Sequence, residues 1–326
     1  MSPTAHQRLP LHQMPIFWDV MITLFLLACA GMTLWTGMRI SEGGIGNTVL
    51  CAVAAIGFVL IAYGSFLEPR RIVLRYVPLR LPLKTTLRVI LAADFHVGPY
   101  KGAAYMKRIV DHIIALQPDI IFLPGDFPYD HLSDISSLSE LSRLHPPLGM
   151  YAVMGNHDTG RSLDFFTRES FTTVNRSSEI GAFLENQGIT VLHNESRILK
   201  LADGSSLAIA GVDEVWGEEA DLEKTFSKIP EGMPTILLSH HPDVILEHAS
   251  HRADLILCGH THGGQIRLPI IGPLSPIPSK LGRKYDRGFF SVGDRTTLFI
   301  TCGLGETMAR ARLFCPPEIV VMEGKE

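Results

Sequence analysis

The sequence predicts a layered α/β domain with a second sheet, carried behind a pair of bilayer-spanning helices. Three observations predict that class. Two long apolar runs almost free of charge lie before residue 70. From Leu87 onward short apolar strands alternate with segments of helical periodicity, the pattern of a layered α/β domain. After Thr190 short strands dominate, which favours a second sheet over a single doubly wound one.

The 326 residues accommodate one α/β domain of roughly 200 to 250 residues and an appendage. Hydrophobic residues make up 46% of the chain and the mean hydropathy is +0.20, values that point to membrane contact. The net charge of −4 provides no basic field, so a nuclease reading and a nucleic-acid partner are disfavoured. The five cysteines are odd in number and form no CxxC pair. Cys29, Cys51, Cys258, Cys302 and Cys315 all lie in or beside apolar runs and read as buried reduced thiols, which argues against a disulfide scaffold or a thiolate zinc site.

Residues 1–14 are polar and broken by proline, and are expected to be disordered. Residues 15–38 carry one charge, Asp19, and exceed the roughly 20 apolar residues that span a bilayer. A secretory signal has a shorter apolar core and a small-residue cleavage site, which this segment lacks. Residues 45–67 form a second uncharged run after the short turn Arg39-Ile40-Ser41-Glu42-Gly43-Gly44. Together they predict a transmembrane hairpin over 15–68. Two core helices of a soluble protein are the weaker alternative, since helices of that length in a core normally carry a polar stripe. Arg70, Arg71, Arg75, Arg80, Lys84 and Arg88 crowd the second exit while the turn has only Arg39, so both ends are expected on the cytoplasmic side. Residues 69–86 are read as an interfacial linker. Its stretch 76–83, with two prolines and apolar residues around Arg80, either lies along the membrane surface or simply connects.

Within the domain over 87–326, Leu87-Arg88-Val89-Ile90-Leu91-Ala92 reads as a strand ending in Asp94-Phe95-His96. Residues 101–116 show helical spacing stopped by Pro118. Ile120-Ile121-Phe122-Leu123 ends in Gly125-Asp126, and a helix over 133–144 leads to Met150-Tyr151-Ala152-Val153-Met154, which runs into Gly155-Asn156-His157-Asp158. A helix over 177–186 precedes short strands near Leu192, Ile198 and Ala208-Ile209-Ala210. Thr235-Ile236-Leu237-Leu238 ends in His240-His241-Pro242-Asp243, and Asp254-Leu255-Ile256-Leu257-Cys258 in Gly259-His260-Thr261-His262-Gly263-Gly264. Residues 297–301 and 318–321 close the domain as strands.

Five strand ends thus deliver Asp94 and His96, Asp126, Asn156 and His157, His240, and His260 and His262. Taken singly, each has a plain alternative, because Gly, Asn and Asp are common in turns and a lone histidine is more often packed or solvated than a ligand. Five such turns after apolar strands in one domain are hard to produce by packing alone, and they offer enough oxygen and nitrogen donors for two cations. His157, beside the neutral oxygen of Asn156, either binds metal or moves a proton. The glycine-bracketed pair His260 and His262 is expected to feed neighbouring cations without strain in the turn.

The ordered set Asp94-x-His96, Gly125-Asp126, Gly155-Asn156-His157-Asp158, His240 and Gly259-His260-x-His262 resembles the signature of the calcineurin-like metallophosphoesterase superfamily. Gly259-His260-Thr261-His262-Gly263-Gly264-Gln265 and Arg312-Leu313-Phe314-Cys315-Pro316-Pro317-Glu318 further resemble its bacterial membrane-associated phosphodiesterase branch. The resemblance implies a four-layer α/β/β/α sandwich with two divalent metal ions at the strand ends. It implies Asp94, His96, Asp126 and His262 around one ion, with Asp126 bridging to a second held by Asn156, His240 and His260. His157 is the family's non-ligand histidine and the expected acid for the leaving oxygen. Manganese suits a cytoplasmic site with this donor set, with iron or zinc as alternatives.

The family's histidine ligand two residues before a proline selects His240, leaving His241 to cap or line the pocket. Three residues after Asp126 the family usually has an aspartate that orients the catalytic histidine; here Tyr129 stands there, which leaves Asp130 and Asp158 as the candidate partners. Arg283, Arg287, Arg310 and Arg312 lie in late loops, where they either reach the metals and hold a second phosphate or are solvated.

The resulting expectation is a phosphoesterase anchored at the inner face of a bacterial membrane, hydrolysing a phosphodiester or pyrophosphate, with a lipid-linked substrate similar to the UDP-2,3-diacylglucosamine of lipid A synthesis. A phosphomonoesterase or protein phosphatase is the rival within the class. A non-catalytic metal-binding membrane scaffold is the rival outside it, disfavoured because such a scaffold has no use for His157.

Overall fold

The computed structural model describes residues 11, 14–164, 167 and 169–324. The expected disorder of residues 1–14 therefore lies outside the described residues, Leu11 and Met14 excepted. Helix α1 (Pro15–Met38) begins on a proline and helix α2 (Ile40–Ala62) follows after one intervening residue. Gly44, with φ of 62°, breaks α2 near its start, so the reversal falls where the short turn was expected. The pair packs through small residues: a side chain on Gly57 would meet the Cys29 sulfur at 3.4 Å, and Cys51 Sγ donates to the Thr33 carbonyl at 3.5 Å. Both helices are long and apolar enough to cross a membrane and are largely unburied by the rest of the chain.

The second helix passes through a π-turn (Tyr63–Leu67) and a 3-10 turn (Glu68–Arg70) into strand β1 (Val73–Pro78). The interfacial linker expected over 69–86 is thereby corrected. Residues 73–78 pair in parallel with the last strand of the chain, because the alternation of Val73, Arg75 and Val77 with Leu74 and Tyr76 suits a sheet edge. Next come β2 (Val89–Leu91), α3 (Ala103–Leu116), β3 (Ile120–Pro124) and β4 (Met150–Val153). The helix expected over 133–144 is a 3-10 segment, Ser136–Arg143, which buries only Leu138 and Leu141. Four serines in eight residues compete for backbone hydrogen bonds and weaken an α-helix. A small hairpin of β5 (Arg161–Leu163) and β6 (Ser170–Thr172) precedes α4 (Ser177–Asn186).

The chain continues through β7 (Ile189–Val191), β8 (Glu195–Lys200), β9 (Ser206–Gly211), α5 (Leu222–Phe226), β10 (Thr235–Leu238) and β11 (Leu255–Cys258). A two-stranded prong, β12 (Arg267–Leu268) and β13 (Gly272–Pro273), is followed by β14 (Gly288–Val292), β15 (Thr296–Ile300) and β16 (Glu318–Glu323).

Two six-stranded mixed sheets result, ordered β1-β16-β2-β3-β4-β7 and β14-β15-β11-β10-β9-β8. Side-chain alternation decides the layering. Val89, Leu91, Ile120 and Phe122 of the first sheet pack with Ile209, Ile236, Leu238 and Leu257 of the second, forming the inter-sheet core. The alternate residues Ile90, Ile121 and Leu123 turn outward to α3 and α4. Ala208, Leu237 and Ile256 turn to α5 on the far side. The expected four-layer α/β/β/α sandwich is the observed one. Its carboxyl-terminal strand ends at β2, β3 and β4 in one sheet meet those of β10 and β11 in the other.

Candidate metal centre

Every residue named from the five strand ends comes to that one edge of the sandwich. The loops that bring them there are unusually bent. Asp94 (φ 53°), His96 (44°), Asp126 (58°), His260 (71°) and His262 (51°) all adopt left-handed backbone conformations, which non-glycine residues seldom take. The expectation of a strain-free His260-Thr261-His262 turn is corrected, because each histidine is driven into this region to bring its ring inward. Glycine is required where loops touch: a side chain on Gly155 would overlap the Asp126 carboxylate, and one on Gly259 would meet Asp94 Oδ2 at 2.5 Å.

The donor atoms converge in two overlapping groups. Asp94, His96 and His262 each offer an atom within 4.8 Å of the others, as do Asp94, Asp126 and His240. His96 Nε2 faces His262 Nε2 at 3.1 Å and lies 3.5 Å from Asp126 Oδ2. On the other side of Asp126, His240 Nε2 is 3.1 Å from Asp126 Oδ2 and 3.2 Å from Asn156 Oδ1, while His260 Nδ1 is 3.0 Å from the same Asn156 oxygen. Backbone carbonyls fix the ring orientations, Pro124 accepting from His240 Nδ1 at 2.7 Å and Pro278 from His260 Nε2 at 2.6 Å.

This set fits cations. Asp94 Oδ2 is buried without a hydrogen-bond partner, and paired ring nitrogens face each other with at most one proton between them. Burial holds the His96 and His262 imidazoles well below their ordinary range, and burial with the neighbouring His240 brings His260 down to about 3. Neutral imidazoles with open lone pairs are the ligating form. Burial, with Asp126 close by, pushes the Asp94 carboxyl up to about 7. Burial would also lower His240, but the Asp126 carboxylate outweighs it and raises the imidazole to about 10. His240 foremost, with His157 and His96, holds Asp126 well below the carboxylate range against its burial. A cation in place of the His240 proton offsets the two buried carboxylates, Asp94 and Asp126, together.

His157 is half-buried and stacks edge-on against His96, ring centroids 4.6 Å apart. It also reaches a common region with His96 and Asp126. Its Nδ1 lies 2.6 Å from the Tyr129 carbonyl oxygen. The orienting partner expected among Asp130 and Asp158 is therefore corrected to a backbone carbonyl. Asp158 instead accepts the backbone N–H groups of Asp126, Phe127 and Gly155 at 2.7 to 2.9 Å, tying two of the strand-end loops together. Asp130 accepts from Leu132 N and Ser133 Oγ within its own turn.

His241 lies behind the pocket wall, fully buried, 4.4 Å from the Trp216 ring and 4.0 Å from that of His260. Its Nδ1 is 3.1 Å from Glu214 Oε1 but out of line for a hydrogen bond. Arg312 is also fully buried and donates to the carbonyls of Cys302, Gly305 and Cys315, with Nη2 3.4 Å from His262 Nδ1. That correction turns it from a phosphate contact into a support behind a ligand. Arg283 holds the Ile271 carbonyl, Arg287 faces the Cys302 and Cys315 sulfurs, and Arg310 pairs with Asp19 of α1 at 3.0 Å. None of the four is committed to a free phosphate site. All five cysteines are free thiols; Cys258, Cys302 and Cys315 are buried as expected, whereas Cys29 and Cys51 in the apolar helices are only half-buried.

A cavity of about 160 Å³ opens over the donors, lined among others by Tyr129, His157, Trp216, Gln265 and Met308. Trp216 and Glu214 escaped the sequence reading. The signal was there, since Asp213-Glu214 follow the apolar strand β9 just as Asp126 follows β3.

The calcineurin-like phosphoesterase profile matches residues 87–264. The metallophosphoesterase YkuE of Bacillus subtilis, itself uncharacterised, is 33% identical over 239 residues, covering 72% of this chain and 77% of the relative. The phosphodiesterase YaeI of Escherichia coli is 30% identical over 239 residues, covering 72% and 81%. The UDP-2,3-diacylglucosamine pyrophosphatase LpxG of Chlamydia muridarum is 29% identical over 324 aligned positions, covering 85% and 97%. A profile spanning both sheets, relatives of this extent and a buried donor set for divalent cations lead to one conclusion: the chain belongs to the calcineurin-like phosphoesterases and is a hydrolase.

Proposed function

We propose that this hydrolase is a membrane-anchored, dinuclear phosphodiesterase or pyrophosphatase whose substrate is lipid-linked, of the UDP-2,3-diacylglucosamine class. The observation that carries the lipid-linked reading is the seat of the apolar helices against the loop behind the site. The Gly64 carbonyl at the end of α2 accepts from Arg312 N at 2.8 Å, and Glu68 accepts from the backbone N–H groups of Phe314 and Cys315 at 3.0 and 2.6 Å. A centre tied this closely to a bilayer-spanning element meets substrates held in the bilayer. The LpxG alignment supports the same reading, since 85% of the chain is reached only by including part of the sequence before residue 87. The basic cluster from Arg70 to Arg88 supports a cytoplasmic catalytic face at a bacterial inner membrane.

In this reading Asp94, His96, Asp126 and His262 hold one cation and Asp126, Asn156, His240 and His260 the other. Two divalent cations, manganese by preference, supply Lewis acidity toward the phosphoryl oxygens and a nucleophile at neutral pH. Asp126, whose Oδ2 lies between His96 and His240, would serve both ions. The Tyr129 carbonyl holds His157 Nδ1–H, so Nε2 is the atom that delivers a proton to the leaving oxygen. Arg312 keeps the His262 ring in place from behind. The cavity suffices for a phosphate and its first substituents, well short of the roughly 300 to 1,000 Å³ of a pocket enclosing a whole ligand, so the rest of the substrate lies along the open cleft.

The test is turnover of full-length protein in lipid nanodiscs with manganese, comparing a UDP-linked diacylglucosamine, a bis-aryl phosphodiester and an aryl phosphomonoester. Release of UMP from the lipid at the fastest rate is the expected result. Preference for the monoester would instead favour a phosphatase, and no turnover of any of the three would favour the scaffold reading.

A further inference from the structure

The prong β12–β13 has an apolar tip that the rest of the chain does not use. Ile270 is fully exposed, and Ile271 and Leu274 are exposed beside it. Ile270 also sits at φ of 69° in the centre of a three-residue turn closed by Ile271 N donating to the Pro269 carbonyl at 2.7 Å. A β-branched residue there is strained in its backbone, in the rarer form of the γ-turn, where glycine or asparagine would be at ease. The tip is nevertheless held firmly: Leu274 N donates to the Ile266 carbonyl at 2.9 Å, and Arg283 donates to the carbonyls of Ile271 and Pro273. Neither packing nor backbone ease explains two isoleucines at the end of a rigid, exposed turn, so the explanation lies outside the chain.

The position of the prong says what covers it. Its first strand is laced to residues 312–315, with Arg267 N donating to the Leu313 carbonyl at 2.9 Å and Leu313 N to that of Gln265 at 3.0 Å. Residues 312–315 are in turn the segment that docks on Gly64 and Glu68 at the end of α2. The foot of the prong at Ile266 thus stands about two strand spacings, roughly 10 Å, from Gly64 at the end of the second apolar helix. Leu67 and Phe314, both exposed, extend the apolar surface between them. Of the cations in residues 265–287, Lys280, Arg283 and Lys284 are exposed and face no acid in that segment, while Arg267 pairs with its single acid, Asp286, and Arg287 turns to the Cys302 and Cys315 sulfurs. That charge suits anionic headgroups and opposes pairing with an identical prong of a second copy.

We propose that the β12–β13 prong is a second membrane contact, seating Ile270, Ile271 and Leu274 at the headgroup–acyl boundary of the leaflet from which the hairpin emerges. The prong's base, Gly264, Gln265 and Ser275, lines the cavity over the metal donors. One rigid element then runs from the lipid to the site, and an acyl chain leaving the bilayer along it arrives at the phosphoester pocket. The contact rests on the hairpin spanning a bilayer, not on the identity of the substrate.

The experiment uses full-length protein in vesicles of phosphatidylethanolamine and phosphatidylglycerol. Cys29→Ser and Cys51→Ser remove the thiols outside the buried core. An environment-sensitive fluorophore is placed in turn at Ile270→Cys, at Leu24→Cys within α1, and at Ile198→Cys on the far edge strand β8. Blue-shifted emission at position 270, quenched by brominated acyl chains as at position 24 and unlike position 198, is the expected result. Quenching at 24 but not at 270 overturns the prong contact while leaving the hairpin intact. Shielding at 270 from aqueous iodide without quenching by brominated lipid assigns the tip to a second copy, and also overturns it. Absence of quenching at 24 removes the hairpin and the contact together, whatever the enzyme hydrolyses.

Discussion

His157 Nδ1 lies 2.6 Å from the carbonyl oxygen of Tyr129, the residue standing where the family usually has an orienting aspartate. A backbone carbonyl does this work irrespective of the side chain at position 129. His157→Ala is expected to lose about 10²- to 10⁴-fold in turnover while retaining two metals per chain. Tyr129→Phe, which keeps the carbonyl and loses only the hydroxyl contact to the Met308 carbonyl at 3.0 Å, is expected to stay within a few-fold of the parent. Metal analysis beside initial rates decides both, and an active His157→Ala enzyme sinks the acid assignment.

Asp126 stands between the two donor groups, with His96 and His240 on either side of one oxygen at 3.5 and 3.1 Å. Asp126→Ala is expected to lose metal as well as activity, in contrast to His157→Ala. Asp126→Asn separates charge from shape, and it is expected to bind manganese more weakly by at least about tenfold, as removing an anionic ligand from a buried centre requires. Isothermal titration of the stripped protein measures it; unchanged affinity would remove Asp126 from the bridging position.

Stripping the metals leaves a buried cluster whose charges are poorly matched, so the loaded protein should be the more stable one. Manganese at 100 times its dissociation constant is expected to raise unfolding free energy by about 2.7 kcal/mol per site that binds only the folded chain. Thermal unfolding in nanodiscs with and without chelator reads it as a rise in Tm. An unchanged midpoint would be inconsistent with a resident metal centre.

Behind the site, Glu306 lies between Lys101 at 3.2 Å and Arg312 at 3.4 Å, all three buried. Glu306→Gln strands two cations and is expected to cost about 3 to 5 kcal/mol in denaturant unfolding. Burial pulls Lys101 down to about 8 from an ordinary 10.5, against the pull of Glu306. Between those values the unfolded chain binds a proton that the folded one has lost, so stability rises with pH across the window, by at most about 1.4 kcal/mol per unit. Lys101→Met is expected to flatten that rise. If it persists in the variant, another group is responsible.

Residues with a local signal were legible. Apolar length alone marked α1 to its ends at Pro15 and Met38, and the run of apolar residues into a polar turn marked all five loops that deliver donors. The strand β1 was missed because its pairing partner lies some 245 positions away, Val73 against Glu318, and Arg75 and Pro78 within it resemble a linker. The 3-10 character of Ser136–Arg143 was missed because period alone does not weigh the serines against the helix. Trp216 and Glu214 were passed over although their strand ended in acids like the others.

By itself, the sequence determined which side chains are the candidate metal donors and that two apolar segments precede them, since both are properties of residue type and local period. Only the tertiary structure decided that Arg312 is a buried support and not a phosphate hook, that a carbonyl holds His157, and that Asp158 pins loops. Those outcomes depend on which backbone groups are left without partners once two sheets have closed on each other, and no stretch of chain contains that information alone.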